Sequence, residues 1–215
     1  MRLPDGSTRV RFGVIADTHC PEFMDALPAS IPAIFAGVDR ILHLGDVTAE
    51  STLEQLRAIA PVEAVRGDHD SDLAHLPRTR VIEVEGRKLG LVHGNRSHLW
   101  EEPITFLGTL TLGLWWDFPG LDRWLLRKIP EADIVIHGHT HLGRMTRYGD
   151  RTILNPGGVF QITAATCAER LRRDPSWFEW CWLQVARHGR RPRKPSVGIL
   201  EVWPDEIRWE LIPIY

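Results

Sequence analysis

Short apolar runs alternate with amphipathic stretches along this chain, and several of the apolar runs stop at Asp, Gly or His. Val10 to Ala16 is largely apolar and is closed by Asp17, the pattern of a buried strand. Residues 25–37 carry spaced apolar positions and predict a helix, with Pro28 and Pro32 near its start. Arg40 to Leu44 predicts a second strand, ending at Gly45-Asp46. Ser51, with Glu54 three residues on, has the form of a capping box, so residues 52–60 are expected to be helical. Val62 to Arg66 predicts a third strand, ending at Gly67. This strand–helix–strand–helix–strand rhythm argues for parallel strands joined by helical crossovers. Residues 80–85 and 87–92 alternate around Glu85-Gly86 as a hairpin. Asp133 to Ile136 is a further apolar strand, leading into His137-Gly138-His139. Residues 143–148 and 151–154 flank Gly149-Asp150, a type I′ hairpin signal. Residues 197–203 and 206–213 predict a last hairpin across Pro204-Asp205.

Two stretches depart from this rhythm. Residues 97–130 place Trp100, Trp115, Trp116 and Trp124 among leucines, and residues 160–195 hold Trp177, Trp180 and Trp182 followed by a basic tail. Both read as insertions on a compact core. A chain of 215 residues suits one well-buried domain, so the expectation is a single domain over 1–215 with insertions at about 97–130 and 160–195.

Composition narrows the class. Hydrophobic content of 43% and charged content of 25% are those of an ordinary globular protein. A net charge of -2 gives no whole-molecule case for nucleic acid or an anionic membrane. Cys20, Cys167 and Cys181 are an odd set without CxxC spacing, which favours a reducing compartment over a disulfide framework. Met1 to Val10 has no apolar signal core. The longest apolar run, Ile104 to Trp116, falls short of the roughly 20 residues that span a bilayer. A cytoplasmic protein without a transmembrane segment is expected.

The candidate chemistry lies in five blocks at predicted strand ends: Asp17-Thr18-His19, Gly45-Asp46, Gly67-Asp68-His69-Asp70, His93-Gly94-Asn95 and Gly138-His139-Thr140-His141. In an α/β sheet, ligands gather beyond the carboxyl ends of the strands. Carboxylates and imidazoles collected there suit two hard-to-borderline divalent metals. One Asp-x-His is usually a cap or a surface pair; five successive blocks are not coincidence. A metal pair that activates water and neutralises an ester points to hydrolysis at phosphorus.

These blocks resemble the calcineurin-like metallophosphoesterases over about residues 10–160 and again over 196–213, and are most similar to the small bacterial and archaeal phosphodiesterase branch. Asn155-Pro156-Gly157-Gly158 matches that branch's Asn-Pro-Gly turn. The resemblance implies an α/β fold, a four-layered α/β/β/α metallophosphoesterase sandwich of two mixed sheets flanked by helices. It implies that Asp17, His19 and His141 hold one metal. His93, His139 and position 68 would hold the second, with Asp46 bridging. The family usually has asparagine at position 68; this chain has Asp68. His69 matches a family histidine thought to contact the phosphate or protonate the leaving group. Asp70 would orient His69. Two divalent ions are implied, manganese first, with iron, zinc or nickel compatible with the same ligands.

The remaining polar residues have plainer readings. His43, inside an apolar strand, is expected to be a hydrogen-bonded core residue, and His137 to point away from the metals. His75, His98 and His188 default to the surface. Residues 165–195 carry eight basic and three acidic side chains, a net +5 that leaves -7 on the rest of the chain. Aromatics among arginines can stack bases, so nucleic acid is one reading of this segment. A solvated helix followed by a strand, with Phe178, Trp180 and Trp182 packed inward, is preferred. Segment 97–130 could serve as core packing, a homodimer contact, a lid or a lipid-facing patch. The leading expectation is a dinuclear metal-dependent phosphoester hydrolase, most simply a phosphodiesterase, acting on a small phosphoester. A non-catalytic protein-binding scaffold of the same fold and a lipid phosphoester hydrolase at the membrane surface are the alternatives. Metal content with diester hydrolysis separates the first from the scaffold, and liposome co-sedimentation separates it from the lipid enzyme.

Overall fold

A computed structural model of the protein describes residues 9–96, 120–189 and 194–214. Trp100, Trp115, Trp116 and His98 of the first tryptophan-rich segment lie outside the described residues, as do Arg190, Arg191 and Arg193 of the basic one. The chain divides into two compact units, one from residues up to 94 with 121–160 and 195 onward, the other from 95–120 and 161–194.

The first unit holds two five-stranded mixed sheets. One comprises β1 (Val10–Ile15), β2 (Arg40–His43), β3 (Val62–Ala64), β9 (Ser196–Val202) and β10 (Ile207–Pro213), in the order β10-β9-β1-β2-β3. The pairs β1–β2 and β2–β3 are parallel, as the rhythm of the sequence requires, while β9 runs antiparallel to β1 and β10. The other comprises β4 (Thr79–Val84), β5 (Arg87–Val92), β6 (Ile134–His137), β7 (Arg144–Tyr148) and β8 (Arg151–Asn155), in the order β4-β5-β6-β8-β7. There β5–β6 and β6–β8 are parallel, and the two flanking pairs are hairpins.

Period-two alternation explains the layers. Phe12, Val14, Leu42, Leu200 and Val202 of the first sheet share one apolar cluster with Leu89, Leu91, Ile134, Ile136 and Leu154 of the second. The odd-numbered neighbours Ile15, Ile41, Val197 and Ile199 face the other way, onto Ile31 of α1 (Ile31–Ile34), Phe35 and Leu56 of α2 (Glu50–Arg57). Strands that are apolar on both faces must be covered on both. On the second sheet, the chain following α3 (Leu121–Lys128) approaches so closely that a Cβ on Gly90 would lie 2.8 Å from the Ala132 side chain. Arg151 of β8 caps this helix by donating to the carbonyls of Leu126, Ile129 and Ala132 at 2.8, 2.6 and 2.8 Å. A cation there matches the negative end of the helix dipole. The architecture is the four-layered sandwich implied by the resemblance.

Several local expectations are corrected. The helix expected over 25–37 is the single turn α1: Pro32 is tolerated only in a first turn, where no N–H is needed, and Gly37 at φ +73° ends the segment. Ser51 is not the cap of α2, which starts one residue earlier behind an extended Ala49 without a side-chain cap. β3 ends at Ala64, because Arg66 N–H leaves the ladder and donates to Pro77 O at 2.8 Å. The paired positive φ values of a type I′ turn occur at Glu85 and Gly86 (50° and 75°), whereas at the 149–150 turn only Gly149 has positive φ.

In the second unit, α4 (Ala164–Arg170) and α5 (Trp177–Gly189) are helices. Thr163 caps α4 reciprocally with Thr166. The strand expected with Phe178, Trp180 and Trp182 inward is instead helical. A 3.6-residue period puts Trp182, Leu183 and Ala186 on one face, against Cys167 and Leu171. Trp177, Phe178 and Trp180 are left 80%, 50% and 49% exposed. Among the described residues no helix is long and apolar enough to cross a membrane.

Candidate metal centre

The five blocks follow the carboxyl ends of β1, β2, β3, β5 and β6, and the fold brings them together. Asp17, His19 and His141 offer three ligand atoms within 4.8 Å of one another, and so do Asp68, His93 and His139. Asp46 joins both sets, meeting the same criterion with His19 and His69 and again with Asp17 and His93. Its Oδ2 lies 3.5 Å from His19 Nε2 and 3.3 Å from His93 Nε2. His141 Nε2 is 3.6 Å from Asp17 Oδ1, and Asp68 Oδ2 is 3.9 Å from His139 Nδ1. Asp17, His19, Asp46 and His93 are buried, while Asp68 is exposed.

The backbone at this cluster is held in a conformation that non-glycine residues seldom adopt. Asp17, His19, Asp46, His139 and His141 all have φ between 45° and 64°. Each such residue costs on the order of 1–3 kcal/mol and persists only where the surroundings over-determine it. Glycines make room for them: a Cβ on Gly67 would overlap Asp46 Oδ1, and one on Gly45 would come within 2.7 Å of Gly67 N.

Hydrogen bonds orient the imidazoles. His93 Nδ1 donates to Leu44 O at 2.8 Å and His141 Nδ1 to Phe160 O at 2.8 Å, which leaves each Nε2 facing the carboxylates. Imidazoles that ligate metals are held this way, with the outer nitrogen on a carbonyl or carboxylate. His139 N–H donates to both oxygens of Asp17 at 3.1 Å.

The electrostatics are those of a cation site. Burial, with the Asp46 charge adding to it, pushes the Asp17 carboxyl up to about 8, against the opposing effect of His93. Burial resists ionisation of Asp46 too, but the imidazoles of His93, His19 and His69 hold it well below the usual carboxylate range. Burial would lower His93, yet the Asp46 and Asp17 charges push it up to about 10. Protons are drawn to the places that cations of suitable charge would take, and the donor set fits divalent metals that accept both oxygen and nitrogen.

Asp70 does not orient His69, contrary to expectation. It is fully buried, and its two oxygens accept four backbone N–H groups: Asp46 at 2.9 Å, Val47 at 2.7 Å, Thr48 at 2.8 Å and Gly67 at 2.7 Å. Those bonds fix the loop that carries Asp46. The residue beside His69 is Glu22, within 3.0 Å of Nδ1. It lies outside the five blocks, and an acidic residue three positions after His19 was the one signal for it in the sequence.

His43 takes the place expected of it, in the core, and His137 is buried as well. His43 Nε2 donates to Thr18 Oγ1 at 3.1 Å, and its Nδ1 accepts from Gly45 N–H at 3.3 Å. His137 Nδ1 donates to Gly138 O at 2.9 Å. Burial holds His43 neutral, down to about 4, and His137, beside Arg144, down to about 3. A depressed histidine contributes stability that is full above about pH 6.5 and is lost as pH falls, because the unfolded chain takes the proton first. In chelator-treated protein, the unfolding free energy of wild type minus that of His137→Asn is expected to shrink by on the order of 3 kcal/mol between pH 7 and pH 4. Asparagine keeps the bond to Gly138 O but does not titrate. A difference that stays constant with pH would contradict the assignment.

Comparison with known proteins agrees with this geometry. Residues 10–169 match the calcineurin-like phosphoesterase superfamily domain. The chain belongs to that superfamily. It is 35% identical over 147 residues to a probable metallophosphoesterase of Methanothermobacter thermautotrophicus, covering 67% of this chain and 74% of the relative. The fold is shared with vacuolar protein sorting 29 from Cryptosporidium parvum, at TM-score 0.66 and 21% identity over 96% of this chain and 92% of that one. It is also shared with a protein described as a novel archaeal phosphodiesterase, at TM-score 0.51 and 19% identity over 94% and 100% of the two chains.

Proposed function

We propose that this superfamily member hydrolyses phosphate diesters with a pair of divalent metal ions, manganese first among them. The observation that carries the reading is the arrangement of the ligand triads. Asp17–His19–His141 and Asp68–His93–His139 share no residue, and Asp46 lies within reach of both. When bound, the ions supply charge neutralisation of the ester and a lower pKa for coordinated water. The chain's own residues do the rest. Asp17, His19 and His141 would hold one ion, and Asp68, His93 and His139 the other. Asp46 would be shared, with its loop clamped by Asp70. As an imidazolium whose Nδ1–H is accepted by Glu22, His69 would give its Nε2 proton to the leaving oxygen.

The test is metal analysis of manganese-loaded protein followed by hydrolysis of bis(4-nitrophenyl) phosphate. Two ions per chain with turnover are expected. Metal-free protein, or loaded protein inert on a panel of diesters, would defeat the reading. Inert loaded protein would favour the second reading, a protein-binding module of the same fold. Its support is the exposure of Trp177, Phe178 and Trp180 in the second unit, side chains of the kind that anchor protein interfaces.

Substrate preference follows from Asp68. With asparagine there, two carboxylates would face four metal charges and leave +2; an ionised Asp68 leaves +1. The weaker field should cost a near-dianionic monoester more than a monoanionic diester. Asp68→Asn is therefore expected to raise monoester activity relative to diester activity, and wild type to work best on the alkaline side of neutrality. An unchanged ratio of the two activities in the variant would sink the charge argument.

A further inference from the structure

The loop after β1 is tied back onto the site. Phe23 N–H and Met24 N–H both donate to His19 O, at 2.8 and 3.2 Å, and Thr52 Oγ1 donates to Cys20 O at 2.7 Å. Phe23 packs 5.0 Å from the His19 ring, 5.5 Å from His69 and 5.2 Å from Phe160. The residue held between these anchors is Glu22. Its two carboxylate oxygens lie 3.0 and 2.9 Å from His69 Nδ1, and one of them is 3.5 Å from His19 Nδ1. The His19 and His69 rings meet edge-on with centroids 4.7 Å apart. A single carboxylate thus addresses the outer nitrogen of a candidate ligand and of the candidate proton donor.

We propose that Glu22 is a positioning residue for the reaction, accepting the Nδ1–H of His69 so that Nε2 faces the leaving oxygen. The proposal rests on the hydrolase reading. In the step concerned, the oxygen of water bonds to phosphorus and sheds a proton to solvent. The phosphorus–oxygen bond to the leaving group breaks, and its electron pair stays on that oxygen. The oxygen takes the Nε2 proton of His69, which solvent later replaces. A ring free to turn about its χ2 would present Nε2 in only part of its orientations. The Nδ1–H···carboxylate bond removes that freedom, a task Asp70 cannot perform because its oxygens are committed to backbone.

The experiment uses full-length, manganese-loaded Glu22→Gln. The amide has one acceptor end where the carboxylate had two, and it carries no charge. The variant is expected to retain two metals per chain and to lose about 10–100-fold in kcat with KM within about twofold. The loss should be larger for an alkyl diester, whose leaving oxygen needs a proton, than for a 4-nitrophenyl diester. In the His69→Ala background, Glu22→Gln should cause no further loss. The imidazole 15N spectrum of metal-loaded protein should show a protonated, hydrogen-bonded His69 Nδ1 that is altered by Glu22→Gln. An equal loss in the His69→Ala background, loss of metal, or an unchanged His69 signal would overturn the proposal and leave the hydrolase reading standing. Wild-type protein that binds metal but cleaves no diester would overturn both.

Discussion

Asp46→Ala is expected to lose both metal ions together and to cut diester hydrolysis by more than about 10³-fold, the equivalent of several kcal/mol of lost charge stabilisation. One of its oxygens, Oδ2, lies 3.5 Å from His19 Nε2 and 3.3 Å from His93 Nε2. Removing one carboxylate would therefore open both triads at once. The same residue accepts His69 N–H through Oδ1 at 3.0 Å, so His69 would lose an anchor as well. Alanine adopts the φ of 54° at this position poorly, so a folding defect must be told apart from a metal defect. Asp46→Asn serves that purpose, because asparagine tolerates left-handed backbone and keeps the shape while losing the charge. Both variants should keep the wild-type circular dichroism spectrum and fail to hold two metals. Full metal content in either would defeat the shared-ligand assignment.

His69→Ala is expected to behave differently: both metals retained, with turnover slowed by about 10²–10⁴-fold, the range in which a positioned general acid acts. His69 lies at the mouth of the cluster, with 38% of its side chain exposed, where a substrate can reach it. Its Nδ1 is committed to Glu22. Burial would lower its pKa, but Glu22, Asp46 and Asp68 outweigh this and raise it. Metal analysis and turnover, measured on the same preparation, check the prediction. Unchanged turnover would reduce His69 to a structural residue, and loss of metal would make it a ligand.

The strands and their direction were legible because burial on both faces requires continuous apolar runs, and a helix between two such runs forces them parallel. Phe12, Val14, Leu42 and Leu200 needed no tertiary information to be placed in a core. The helix termini were less legible. A capping pattern at Ser51 and Glu54 was present, yet α2 starts at Glu50 behind an extended Ala49 that follows the left-handed Thr48. In the second unit, three aromatics at even spacing suggested a strand. Packing of Leu183 and Ala186 against Cys167 settled the segment as a helix, with Trp177 and Phe178 outside.

The candidate site divides in the same way. Asp17, His19, Asp46, Asp68, His69, His93, His139 and His141 could be named from sequence because each follows a strand whose carboxyl end the fold must direct to one edge. Their grouping into two triads, with Asp46 within reach of both, is a property of the assembled sheets. The work of Asp70 and Glu22 was decided by tertiary structure alone. A carboxylate next to His69 in sequence was the natural partner on paper. At that position, though, the chain turns the Asp70 side chain inward, where it accepts the N–H groups of Asp46, Val47, Thr48 and Gly67. Glu22, 47 residues away from His69 along the chain, is brought to it by a loop pinned to His19 and Thr52. Sequence order records which residue types are available at each strand end. Which carboxylate meets which imidazole depends on where buried backbone donors must be satisfied, and that is settled only when the sheets and loops pack.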